Sequence, residues 1–156
     1  MKNKLYLLSL LALMLSCKKN NPQPQPSTPA GPVSGKIYTS NFTAQSAVVR
    51  TANFSYQNYK PEDLFAIYLS ANKDDGCSAD INKFSVRLSV PKKLGKFTEN
   101  DIYILIEDPN SDEGALFPSD SVIEITAITA DKVTGTVDAR FEGSMIKGSF
   151  EAKICR

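Results

Sequence analysis

The chain has no histidine and no tryptophan in 156 residues, and only three cysteines. Without histidine there is no imidazole for acid–base catalysis, no Ser-His-Asp or Cys-His nucleophile pair, and no histidine-ligated zinc. Charge of either sign is not in excess, with 18 basic residues against 17 acidic. That balance argues against a nucleic-acid-binding surface and against a chain kept unfolded by self-repulsion. No apolar run reaches the roughly 20 residues that a membrane-spanning helix needs. No repeat of about 20–50 residues is visible, and no long helical periodicity.

What is present begins with a basic start at Lys2 and Lys4, followed by the apolar run 5–15 and then Ser16-Cys17. A charged start, a short apolar stretch and a small residue before a boundary read as an export signal. The Leu15-Ser16-Cys17 junction resembles a bacterial lipoprotein signal, with Met14 where that family usually has leucine. The resemblance implies cleavage before Cys17 and a lipidated Cys17 thiol, so residues 1–16 are expected to be a signal peptide. Several acyl chains hold a protein to a bilayer where one alone is marginal. Loss of Lys2 and Lys4 leaves the remainder near neutral, with no electrostatic grip on nucleic acid or anionic lipid.

Residues 17–34 follow as the lipidated Cys and a tether. Pro22, Pro24, Pro26, Pro29 and Pro32 supply five of the nine prolines. Such a stretch favours polyproline II at about 3.1 Å per residue, a reach of roughly 50 Å. Residues 35–156 are expected to form one domain.

That domain reads in period two. Phe84–Val90, Val133–Phe141 and Ile146–Ile154 alternate apolar with polar residues, as half-buried strands do. Leu64–Ser70 and Ile102–Glu107 are apolar on both faces and read as central strands. Ser121–Thr129 is rich in β-branched residues. Phe42–Ala52 and Lys36–Thr39 are weaker strand candidates. Short turns at 130–132 and 142–144 make Ser121–Ile154 a three-stranded meander. The expectation is an all-β domain: an antiparallel β-sandwich or partly closed barrel of seven or eight strands, with a C-terminal meander.

With Cys17 lipidated, Cys77 and Cys155 remain as an even pair in an oxidising compartment, and a disulfide between them is expected. Two cysteines without histidine make a poor metal site, and neither lies in a motif that lowers its pKa.

Other motifs are weaker. Ser144-Met145-Ile146-Lys147 matches the Ser-x-x-Lys of penicillin-binding enzymes, but on a strand residues three apart point to opposite faces. Asp108, Asn110 and Asp112 put oxygen ligands at alternate positions, as calcium loops do. Glu113 displaces the turn glycine and Ser119 stands where the closing glutamate belongs, so an acidic turn is the simpler reading. Asn41-Phe42-Thr43 and Asn53-Phe54-Ser55 fit the N-glycosylation pattern, which is normally silent in a bacterial lipoprotein. Asp120-Ser121-Val122 resembles the Asp-Ser/Thr-aliphatic sites O-glycosylated in exported proteins of Bacteroidota, which makes Ser121 a glycosylation candidate. Phe54, Tyr56 and Tyr59 could stack on a sugar or fill a partner's pocket, though such residues more often close the end of a sandwich.

The Leu-Ser-Cys junction, the Pro-rich stretch, the Cys77 loop and the ending Val133-Thr134-Gly135-Thr136-Val137 through Gly148-Ser149-Phe150-Glu151-Ala152 to Cys155 together resemble the small lipoproteins of Bacteroidota. Surface-exported members of that group often carry acidic residues just after the lipidated Cys. Lys18-Lys19-Asn20-Asn21 stand here instead, so outer-membrane sorting facing the periplasm is expected. The resemblance implies no activity. The expected function is therefore a lipid-anchored, non-catalytic accessory, binding or structural, with no catalytic residues, metal or cofactor. Its partners would be the membrane through Cys17 and a glycan or an envelope protein, without nucleic acid. The alternative is a small envelope hydrolase using paired carboxylates.

Overall fold

The computed structural model describes residues 31–108 and 112–156. Cys17, the signal segment and most of the Pro-rich stretch lie outside the described residues, as does Asn110. The described chain is all-β. Its strands are β1 (Ser34–Ile37), β2 (Ser40–Thr43), β3 (Ser46–Thr51), β4 (Leu64–Ser70), β5 (Val86–Pro91), β6 (Gly95–Thr98), β7 (Tyr103–Ile106), β8 (Asp120–Ile128), β9 (Lys132–Phe141) and β10 (Ser144–Ile154). Single 3-10 turns at Pro61–Asp63 and Ile81–Lys83 lead towards β4 and β5.

The strands form one curled open sheet in the order β6-β8-β9-β10-β3-β4-β5-β7. β1 adds to β10 and β2 adds to β1. All named pairs are antiparallel except β10 with β3. The two terminal strands of the path, β6 and β7, are consecutive in the chain yet do not pair. The sheet therefore bends round one core without closing, and of the two expected forms the curled one is found.

The meander β8–β9–β10 follows the period-two pattern closely. β10 buries Ile146, Gly148, Phe150 and Ala152 while Lys147, Glu151 and Lys153 face solvent. Glu142 and Gly143 turn β9 into β10 with φ of 41° and 85°. Two positive φ angles are what a two-residue hairpin of matching twist requires. The expected strand 42–52 is divided into β2 and β3, because Ala44 and Gln45 turn aside to hydrogen-bond Val33 and Ser70.

The folded body starts earlier than residue 35. Val33 is fully buried, and Gly31 and Val33 hydrogen-bond to the Ser149 backbone. Gly148 makes this crossing possible, since a Cβ there would stand 2.5 Å from the Pro32 carbonyl oxygen. Pro32, Val33 and Ser34 thus belong to the sheet and not to a free tether.

Two apolar clusters hold the sheet. The larger fills its concave side with Ile67, Leu88, Ile104, Ile123, Val137, Ile146 and their neighbours. The smaller, with Val48, Leu64, Ala66, Tyr68 and Phe84, lies on the opposite face of β3, β4 and β5. All seven residues of β4 are consequently buried, as a central strand requires. Phe84 belongs to this second cluster, whereas Val86, Leu88 and Val90 belong to the first. The β5 alternation therefore begins only at Val86.

The reading of 102–107 as a central strand is corrected. β7 ends the sheet path, pairing with β5 and, through the single bridge Ile106–Leu116, with the following loop. Its outward Tyr103 has another reason to be there: rings from two loops pack on it.

Candidate functional site

Those rings define the candidate site. In the β5–β7 register, Val86, Leu88, Ile104 and Ile106 point into the core. Period two then puts Arg87, Tyr103 and Leu105 on the outer face. Tyr103 is the hub. Phe54 meets its ring edge-on with centroids 5.3 Å apart, and Tyr56 and Phe117 lie 5.8 Å from it. The four rings come from three separate segments: the loop after β3, the strand β7 and the loop before β8. Phe54 is 37% and Phe117 53% exposed, so both rings present part of their surface to solvent.

The loop after β3 is built to hold its rings still. Tyr56 and Tyr59 bond to each other through both backbone groups, with Gln57 at φ 51° between them. Their hydroxyls reach across to the 99–101 turn, where Tyr56 donates to the Glu99 carbonyl and Tyr59 to the Asp101 carboxylate. Lys93 lies over the Tyr59 ring at 5.8 Å. Tyr56 and Tyr59 thus do close one end of the structure as expected, while Phe54 is left standing outward.

Beside Tyr103 on the same outer face, Arg87 pairs with Glu107 at 3.2 Å and its guanidinium also reaches the Asn82 side chain. The pair is net neutral and partly exposed. Burial raises the Tyr103 pKa, and the nearby Arg87 charge opposes part of that rise. Tyr103 therefore stays a neutral phenol across the physiological range.

The sequence-level candidates fall elsewhere. Cys77 and Cys155 form a disulfide, with Cα atoms 5.5 Å apart. It ties the 71–84 loop, which covers the smaller apolar cluster, to the end of β10. Arg50 secures the same loop by donating to the Gly76 and Ala79 carbonyls while lying over the Tyr68 and Phe84 rings. Ser121, the glycosylation candidate, is only 5% exposed, and its buried hydroxyl has no hydrogen-bond partner among the described residues. Ser144 is buried and accepts a hydrogen bond from the Tyr38 N–H, whereas Lys147 faces solvent, so the Ser-x-x-Lys pair is split across the sheet.

Of the calcium candidates, Asn110 lies outside the described residues and Asp108 accepts a hydrogen bond from Ser40. Among the described residues no group of three or more acids and cysteines converges on a metal position. Asp108 and Glu113 do line one cleft of about 330 Å³ at the end of the sheet opposite the Cys155 terminus.

Several other carboxylates are committed to the fold. Asp138 accepts from Lys147 at 2.8 Å and from Arg140 at 3.2 Å. Burial by itself would raise its pKa, but those two hydrogen bonds and charges outweigh it, and the folded value is lowered. A lowered folded pKa adds stability that is complete above the ordinary carboxylate value of about 3.9 and is lost as pH falls through the folded value. Asp138→Asn should accordingly be less stable at neutral pH and lose less on acidification. Urea midpoints at about pH 7 and about pH 2.5 check this, and equal acid losses in both proteins would contradict it.

Sequence reasoning missed Tyr103 and Phe117. Tyr103 sits in the apolar run Tyr-Ile-Leu-Ile, which hides an outward ring among inward residues. The only available signal was the period-two rule itself, which places Tyr103 on the face opposite Ile104. Comparison of the chain with protein-family models, with curated proteins and with solved structures returns no match, so what these residues do must follow from their own geometry.

Proposed function

We propose that this protein is a lipid-anchored, non-catalytic cell-envelope domain that acts as a binding accessory. The observation that carries the reading is the pair of exposed rings, Phe54 and Phe117, that two loops set against Tyr103 on the outer face of a terminal strand. Exposed aromatic area is costly to keep, and where rings are immobilised but uncovered they offer contact area at low entropic cost. The Cys77–Cys155 disulfide agrees with an oxidising compartment. The anchor follows from the Leu15-Ser16-Cys17 junction.

One experiment with two readouts tests this. Cells given a fatty-acid analogue should label the wild-type protein and leave Cys17→Ala unlabelled and absent from membrane pellets. A photoreactive phenylalanine at position 117 should yield an envelope adduct that is missing when the same group replaces the exposed Lys153. Label on Cys17→Ala would remove the anchor, and identical adducts from both positions would remove the binding role.

A second reading, a small envelope hydrolase, has one observation in its favour: Asp108 and Glu113 line the same cleft. A glycosidase of that kind needs its two carboxyl groups about 5–9.5 Å apart across the scissile bond, with one kept protonated.

A further inference from the structure

Resting on the binding reading above, we infer that the ligand is a neutral oligosaccharide lying across Phe54 and Phe117, the exposed rings that pack against Tyr103. Three features of the surface select this chemistry. First, the exposed rings of Phe54 and Phe117 offer flat apolar area that suits the C–H faces of a sugar, and the polar edge of Tyr103 between the two loops carries a hydroxyl that makes no hydrogen bond among the described residues. A bound sugar hydroxyl can supply that partner. Second, the hydrogen-bonding groups beside the rings are planar and already paired in charge. Arg87 and Glu107 offer donors and acceptors in fixed directions, yet their ion pair cancels. A phosphorylated or acidic ligand would have to break that pair, whereas a polyol bonds to both without disturbing it. Third, the rings stand on the outer face of the sheet, and Ile104 and Ile106 already fill the core side. A fatty chain needs an enclosed apolar channel, while an extended saccharide needs only an open ledge. Phe54 is also held in place before anything binds, because Tyr56 and Tyr59 fix the loop that carries it. Little ordering then opposes binding.

Affinity electrophoresis decides it. The chain from Lys18 to Arg156, which keeps every described strand and the disulfide, is run through gels containing soluble β-glucan, arabinoxylan, α-mannan or starch. At least one of these should retard it. Phe117→Ala and Phe54→Ala should each weaken the retardation by about tenfold, the loss of one stacking contact, while the thermal midpoint falls by only a few degrees and the protein stays folded in the gel. Tyr103→Phe keeps the ring and should lose a smaller part. Glu107→Gln, which keeps the shape but unbalances the charge, should shift preference towards acidic polysaccharide. Absence of retardation by all four polysaccharides overturns the inference, and so does retardation unaffected by Phe117→Ala. If no polysaccharide binds but the photoreactive group at position 117 captures an envelope protein, the sugar falls and the accessory reading stands. If neither is seen, both fall.

Discussion

Phe150→Ala should cost about 3–5 kcal/mol of unfolding free energy, the usual range for deleting a buried phenylalanine. Phe150 is 7% exposed and lies on the concave face of β10. Its partner across the β9–β10 pair is Gly135. A Cβ at Gly135 would fall 2.7 Å from the Phe150 ring, so the ring occupies the space that a side chain at 135 would otherwise take. When the ring is removed, no neighbouring side chain at 135 can move in. The cavity cannot collapse, and the loss should sit in the upper part of the range. Glu151, next along the strand, points outward and pairs with Lys132 at 3.0 Å in solvent. Glu151→Ala should therefore stay within the spread of ordinary surface substitutions. Guanidinium unfolding of both variants against wild type measures the contrast. Near-equal losses would mean that β10 is not buried on one face only.

Removing the staple should be comparably severe. Cys77 and Cys155 are 78 residues apart, and in chain-entropy terms a bridge across so long a loop is worth about 4 kcal/mol. The Cys77→Ser, Cys155→Ser variant should lose about that much, and wild type should lose the same under reductant. Arg50 then remains to hold the 71–84 loop through its carbonyl and ring contacts, together with Ser46 and Arg87, which bond Asn72 and Asn82. Intact-mass measurement after alkylation without reductant should find neither thiol modified in the native protein. Two alkylated thiols, or a double variant as stable as wild type, would show that strand pairing holds the C-terminus unaided.

How far the sequence discloses this molecule depends on where each residue's neighbours come from. The meander was legible because its cause is local: alternation in 133–141 and 146–154, with turns too short for anything but hairpins. The Cys77–Cys155 pair was legible by elimination once Cys17 was set aside. The place of β7 was not, because an apolar outer face looks the same whether another strand or a loop covers it. Tyr103 is apolar outward because Phe54 and Phe117, which arrive from loops 49 and 14 residues away in the chain, pack on it. Period two reports which face a residue takes but not what lies beyond that face. The early start of the folded body was likewise hidden. Val33 sits among prolines, and only its partner Ser149, more than a hundred residues later, reveals that it is buried.

That last pairing also sets a timetable. β1 and β3, near the start of the domain, share the edge of β10, the final strand. A chain delivered N-terminus first, from a ribosome or through a membrane pore, can pair β1 with β2 and β3 with β4 early, but the strand that joins these two pairs into one sheet is the last to arrive. Loop closure over so much chain makes such folds slow and leaves the early strands waiting. The consequence is an order of assembly: local strand pairs can form as they are delivered, and the sheet becomes continuous only when β10 seats between β9, β1 and β3.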